Sequence, residues 1–223
     1  MKRTVRHLTE RELADFTNRQ LKNMLISDED VTPFVKEALE KTLRCFEPNK
    51  NKYYSERNLS VFHSGQYATY LYYLSNTAYK AMGDADLTSK IYYLNKILHA
   101  VDWFYAIDLP NYWGVEHPLG SVLGRARYSD GLFIYQGCTV GGNKKKYPAL
   151  GRNVIMYSNS TILGDCHVGD NVILGTGCTI KDEDIPSNSL VFGASPHLVI
   201  KQKSEEEIQP IIDEIWTKNR GEN

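Results

Sequence analysis

Six histidines are present, and His117 stands apart from the other five. It lies in His117-Pro118-Leu119-Gly120-Ser121-Val122-Leu123-Gly124, directly after Glu116 and nine residues after Asp108. A neutral imidazole near a carboxylate is the usual general base at neutral pH, because its unperturbed pKa is near ~6.5. The carboxylate fixes the ring tautomer and supports the imidazolium that forms. Flanked by proline and glycine, the same residue reads equally well as part of a turn. A zinc site on three histidines would require His167 and His197 to join His117. The chain has no His-x4-His pair, so metal catalysis is not expected.

The stretch that must position His117 is a repeat. Apolar residues recur every six positions at Leu150, Met156, Ile162, Val168, Leu174 and Ile180. Small or β-branched residues, Val154, Ser160, Cys166, Val172 and Cys178, follow the first five by four positions. Upstream, Val122, Tyr128, Ile134 and Val140 keep the same period. Ten residues then separate Val140 from Leu150, which marks an inserted loop through Gly141-Gly142-Asn143-Lys144-Lys145-Lys146-Tyr147-Pro148. A period of six fits neither a helix nor an ordinary strand. It fits a parallel β-helix of hexapeptide repeats, in which each hexad is a short strand plus a corner. The glycines Gly151, Gly169 and Gly175 are expected to supply the unusual backbone angles of the corners.

Before the repeat, helical spacing is read over Thr9–Met24, Pro33–Phe46, Gln66–Met82 and Asp86–Val101, with a polar loop at Asn49–Ser60. Thr9 with Glu12 forms a capping box. The many tyrosines of the third and fourth helices read as packing between helices, with a stacking surface for bases or sugars as the alternative. A last helix is expected over Ser204–Asn219, capped by Ser204 and Glu207. The resulting class is α+β, divided into a helical domain at 1–107, the β-helix at 108–200 and a C-terminal helix and tail at 201–223.

The formal net charge of −1 points to neither nucleic acid nor an anionic membrane as main partner. No apolar run has the length of a membrane span, and the basic Met1–His7 lacks the apolar core of a signal peptide. Cys45, Cys138, Cys166 and Cys178 show no Cys-x-x-Cys spacing. The last three read as reduced core residues, and a cytoplasmic protein is expected.

The segment His117-x-x-Gly120-x-Val122-x-Gly124, then Asp130, then Ile134-Tyr135-Gln136-x-x-Thr139-Val140-Gly141-Gly142, resembles the active coil of serine O-acetyltransferases. Tyr147-Pro148-x-Leu150-Gly151, Ile162-Leu163-Gly164 and the exit with Gly193 and Pro196 extend the likeness over roughly residues 65–200. The resemblance implies a left-handed β-helix, assembly through homotrimers or a dimer of trimers, and active sites between neighbouring coils. It implies acetyl transfer from acetyl-CoA to the hydroxyl of a small-molecule acceptor, most simply L-serine, without a metal. By position, His117 then matches the base and Asp108 the aspartate that orients it. Asp102, which has the family's spacing, is the alternative. Glu116 matches a residue contacting the acceptor's ammonium. Gly142, Ser158 and Thr176 match positions lining the pantetheine arm, and Lys201 could meet the CoA phosphates. Lys146-Tyr147 replace the family's Arg-His pair at the acceptor, and lysine offers a point charge where arginine offers a fork. The family's upstream substrate-binding aspartate has no counterpart found here. A sugar acceptor, or a non-catalytic assembly module, are the other readings. The ending at Lys218–Asn223 lacks the terminal isoleucine used in docking to cysteine synthase, so no such partner is expected.

Overall fold

The structure is a computed structural model that describes residues 8–54 and 58–217. The readings placed on Met1–His7, and the docking reading placed on Lys218–Asn223, lie outside the described residues. Four helices come first: α1 (Glu10–Leu25), α2 (Thr32–Phe46), α3 (Ser64–Met82) and α4 (Asp86–His99). The Thr9–Glu12 capping box is formed, and Pro33 sits in the first turn of α2. Every residue of α3 from Gly65 to Ala78 is buried, which makes it the central helix of the bundle. Its tyrosines pack and bond inside the protein. The Tyr72 hydroxyl donates to the Ile107 carbonyl at 2.8 Å and accepts from the Leu109 amide at 3.0 Å. Asn76 Nδ2 donates to the carbonyls of Tyr105 and Ile107. Buried polar groups are costly unless paired, so these bonds fix the bundle to the segment that follows it.

That segment is already coil. Asp102–Trp103 pairs in parallel with Val122–Leu123, a turn earlier than the repeat suggests. The boundary expected at 107/108 therefore falls within the first turn. The solenoid makes about five turns, each with three faces. The first face stacks Asp102–Trp103, Val122–Leu123, Thr139–Gly141, Thr161–Leu163 and Thr179–Lys181. The third stacks Trp113–Val115, Leu132–Ile134, Ile155–Met156, Val172–Leu174 and Ser189–Ala194. The second, less regular, aligns Tyr128 with Leu150, Val168 and Ile185. The apolar residues named by the period point inward, with one exception: Leu123 fills the interior where Val122 was expected.

The corners are built differently from the expectation. Gly151, Gly169 and Gly175 do not have positive φ. Their role is close approach, since a Cβ on Gly151 would lie 2.6 Å from the Gly169 carbonyl carbon. The left-handed corner positions are taken by other glycines, such as Gly131 and Gly137, and by Asn153, Asn159, Asn171, Asp182 and Asn188. Asparagine tolerates this conformation, and here it also forms a ladder. Asn153 donates to Asn171 at 2.9 Å, and Asn171 to Asn188 at 2.8 Å.

Helix α5 (Glu205–Ile215) carries the Ser204–Glu207 capping box and lies on the third face. Ile208, Ile212 and Trp216 pack there on Phe133, Ile155 and Ile173. The Trp216 indole donates to the Gly131 carbonyl at 3.1 Å, and the Lys50 amide donates to Ile215.

Two predictions test this account. At Gly83 (φ +70°) an added Cβ meets nothing, whereas at Gly131 (φ +85°) it would lie 2.3 Å from Asn153 Oδ1 and 3.0 Å from the Asn153 amide nitrogen. Denaturant melts should show Gly83→Ala losing about 1–3 kcal/mol of stability, since its φ 70°, ψ −149° is open essentially to glycine alone, and Gly131→Ala losing more. Equal losses would contradict the stacked-corner account. Burial pushes His99 down to about 4, and burial with the nearby His117 lowers His63, the N-cap of α3. As pH falls the unfolded chain takes up these protons first, at about 6.5. Stability should therefore be whole above about pH 6.5 and fall as pH drops from there toward about 4. His99→Phe should flatten that slope in melts at stepped pH, and an unchanged slope would exclude His99 as its source.

Candidate functional site

The edge between the third face of one turn and the first face of the next is regular except at its first passage. Six residues separate the inward Ile134 from Val140, Met156 from Ile162, and Leu174 from Ile180. Eight separate Val115 from Leu123. The carbonyls of Leu119, Gln136 and Ser158 accept from the amides of Gly137, Asn159 and Gly177, so Leu119 is level with Gln136 and Ser158. The two surplus residues are thus His117 and Pro118. They form a bulge in the edge, in which Pro118 is buried and His117 is exposed at φ 50°, an unusual angle for a residue with a Cβ. The base of the bulge is locked. Ser121 Oγ donates to the Pro118 carbonyl at 2.6 Å and accepts from the indole of the buried Trp103 at 2.9 Å.

Around His117 the helical domain contributes a second imidazole. His63 Nδ1 accepts from the Gln66 amide at 3.3 Å and caps α3, which leaves the proton of the neutral ring on Nε2. Its ring meets Tyr54 edge-on at 5.3 Å, and the Tyr54 hydroxyl donates to the carbonyl of Val115, two residues before His117. This residue escaped the sequence reading because the helix was started at Gln66. A histidine at the N-cap carries no periodic signal.

Glu116 lines a cavity of about 250 Å³ between the third face, Asn49–Asn51 and α5. Tyr135 and Tyr157 stand there on successive turns with rings stacked at 5.1 Å and 14°. Burial, with the carboxylate of Glu116 and the ring of Tyr157 beside it, pushes the Tyr135 phenol up to about 12. Below His117, the same edge carries Gln136, Ser158 and Thr176. Their backbone amides have no hydrogen-bond partner among the described residues.

The two candidate aspartates separate by face. Asp108 precedes Leu109, which is six residues from both Trp103 and Val115 and so belongs to the second face, across the prism from the His117 edge. Its carboxylate pairs with Lys80 at 2.7 Å. Asp102 lies on the first face, next to that edge, and its amide donates to the Ser121 carbonyl at 2.8 Å. The carboxylate accepts from Lys96 at 2.8 Å and from Tyr92. The hexad that separates Asp108 from Asp102 carries the two carboxylates to different faces, and only Asp102 lies on a face that borders the His117 edge.

The loop between Val140 and Leu150 leaves from the next edge, between the first and second faces. Asn143 and Lys146 exchange backbone hydrogen bonds around Lys144-Lys145, both with positive φ, which makes a tight hairpin turn. Asn143 Nδ2 donates to Asp182 at 2.8 Å, and Lys146 pairs with Asp165 at 3.0 Å. Tyr147 covers Gly142, where a Cβ would lie 2.6 Å from the ring. Lys201 sits on the final hairpin, 5.7 Å above the Phe192 ring. In one chain, then, His117, Glu116, Ser158 and Thr176 share one edge, and Gly142, Lys146 and Tyr147 share another. They lie a side of the prism apart, roughly 15–20 Å for six residues at ~3.3 Å each. No cluster of three or more His, Cys, Asp or Glu is placed to hold a metal ion among the described residues.

The chain is similar to known proteins in its repeat and in its fold. Residues 148–182 match the bacterial transferase hexapeptide (six repeats) family. The chain is 30% identical over 114 residues to a serine acetyltransferase of Synechococcus elongatus, covering 49% of this chain and 46% of that one. It is 33% identical over 90 residues to the serine acetyltransferase of Staphylococcus xylosus, covering 38% and 41%. The matched part thus spans less than half the length of these relatives. Among solved structures, a serine acetyltransferase in complex with cysteine superposes with a TM-score of 0.72 at 17% identity, over 91% of this chain and 82% of that chain. The serine acetyltransferase of Vibrio cholerae gives 0.71 at 20% identity, over 94% and 85%. A serine acetyltransferase in complex with CoA gives 0.68 at 17% identity, over 88% and 86%. At these identities the structures establish a shared fold, helices and exit included. In its hexapeptide repeat and in its fold, the chain is similar to serine acetyltransferases.

Proposed function

We propose that the protein is an acyltransferase that moves the acetyl group of acetyl-CoA to the hydroxyl of L-serine, with His117 as general base. The observation that carries this reading is the extrusion of His117 from an otherwise regular edge. A strained, exposed imidazole at a locked bulge is a poor structural choice and a good catalytic one. His117 takes the proton of the acceptor hydroxyl as its oxygen attacks the thioester carbonyl, then returns a proton to the departing thiol. Acetyl-CoA supplies the activated acyl group. Its amide-bearing arm fits the edge below His117, where Gln136, Ser158 and Thr176 offer backbone amides unpaired among the described residues.

Asp102 orients the base, after exchanging its bond to Lys96 for one to His117. The reading also calls for assembly. Residues assigned to one site occupy two edges of one chain, so the loop edge must come from a second copy, as the trimer implied by the resemblance would provide. The four buried free thiols fit a reducing compartment such as the cytoplasm. No helix among the described residues is long and apolar enough to cross a membrane.

A sugar hydroxyl is the second acceptor to test, because the Tyr135–Tyr157 stack beside Glu116 offers a face to a sugar ring. Release of CoA thiol with L-serine, and not with sugar nucleotides, is the expected result, and the reverse would select the sugar. In the same assay His117→Ala should lower kcat/KM by about 10²-fold or more, with the melting temperature held. Full turnover by the folded variant would remove His117 as base. Asp102→Asn should lower turnover far more than Asp108→Asn, and the opposite order would restore Asp108.

A further inference from the structure

The loop lysine expected to meet the acceptor is already engaged by Asp165, at 3.0 Å. Cations without a carboxylate partner among the described residues lie beside it. Arg125 and Arg127 line an open groove of about 410 Å³ with Tyr147, Pro148, Ala149 and His167. Both arginines are exposed, and neither guanidinium has a hydrogen-bonding or carboxylate partner among the described residues. His167, by contrast, is paired with Asp184 at 3.2 Å. The scaffold under the two arginines is fixed. The guanidinium of Arg125 rests over the Phe104 ring, 4.8 Å from its centroid, and the Arg127 amide donates to the Pro148 carbonyl at 2.9 Å. Ala126 between them turns toward the core, so the two charges project from one corner.

We propose that Arg125 and Arg127 form an oxyanion subsite, and that its occupant is the carboxylate of the acceptor. The occupant, though not the subsite, rests on the acetyl-transfer reading. Guanidinium forks match the paired oxygens of carboxylate or phosphate, which an ammonium does not. Two sources of such oxygens exist, the acceptor and the phosphates of the CoA thioester, and height separates them. The arginines stand on the same turn as the strand Val122–Leu123 that follows His117. Ser158 and Thr176, on the edge assigned to the co-substrate, belong to later turns at ~4.8 Å per turn. An anion held by Arg125 and Arg127 is therefore level with the base and displaced from the later turns along which the co-substrate arm runs. Because the arginines sit on the loop edge, they serve the His117 of a neighbouring copy.

The test is residue-resolved labelling of the wild-type protein with phenylglyoxal, read by peptide mass spectrometry, in buffer and with L-serine, L-serinamide, glucuronate, inorganic phosphate or CoA. Arg125 and Arg127 should label readily in buffer. L-serine should protect them severalfold, and serinamide, which lacks the carboxylate, should not. Protection by glucuronate or phosphate without protection by serine would keep the subsite while removing serine as its occupant. Protection by CoA alone, absence of protection by every anion, or failure to label in buffer would each overturn the proposal. In the kinetic arm, Arg127→Gln should raise KM for the acceptor about 10-fold or more while KM for acetyl-CoA holds. A rise confined to acetyl-CoA would overturn the assignment. Wild-type protein that acetylates no acceptor yet shows carboxylate protection would count against the reaction and not against the subsite.

Discussion

The closed prism admits one large inward side chain every six residues, and everything else follows from that constraint. The interior is one side chain deep, so Leu123, Val140, Ile162 and Ile180 stack with no room for a residue out of phase. An extra residue has one place to go, outward at an edge. The ladder on either side then resumes in register, as it does from Val115 to Leu123 and from Val140 to Leu150. A scaffold of this kind separates stability from chemistry along the chain. The inward residues carry the hydrophobic term, and the extruded ones are free to be strained, polar and reactive.

The helical parts extend the same logic. A coil has an open end at its first turn, where Trp103, Leu109 and Val115 would face water from above. Helix α3 covers that end with a fully buried surface, and its Tyr72 and Asn76 satisfy the carbonyls of the incoming segment. Covering the third face falls to α5, which packs Ile208 and Ile212 on Phe133, Ile155 and Ile173. The edge with His117 is left clear by both. Tyr54 and His63 reach it from the helical side, and the fixed tautomer of His63 follows from its duty as a helix cap.

The period made the coil readable because burial enforces it at nearly every turn. It misled at both ends of its range. Val122 and Leu123 are both apolar, so only the bulge at His117-Pro118 decides which points inward, and a bulge is invisible to a count that starts after it. The first turn was missed for a related reason: Trp103, Leu109 and Val115 keep the period, but the strands between them are interrupted by aromatic residues that read as a linker. Glycine was the wrong marker for the corners. Close stacking and left-handed φ are separate demands, and asparagine meets the second at Asn153, Asn171 and Asn188 while its side chain links turn to turn. Of the three positions that the resemblance grouped, Ser158 and Thr176 keep the coil register and share an edge, while Gly142, at the start of the inserted loop, stands on another. Which of Asp108 and Asp102 stands beside the His117 edge was not legible, because a shift of one hexad keeps the pattern and changes the face.

Asp108 shows what that change of face means. Each hexad advances the chain by one side of a triangle, so two carboxylates six residues apart are equally periodic and point in different directions. Asp108 looks toward the helical domain, where Lys80 neutralises it. Asp102 looks along the first face, where Lys96 and Tyr92 hold it within one backbone hydrogen bond of the bulge. The same geometry distributes the cations. Lys146 is drawn down by Asp165, which rigidifies the hairpin at the expense of the charge it could offer. Arg125 and Arg127, on the preceding turn of that edge, keep theirs. The charge most available to an anion is therefore set by which turn it stands on, and the loop serves chiefly as the wall, through Tyr147, against which those arginines face outward.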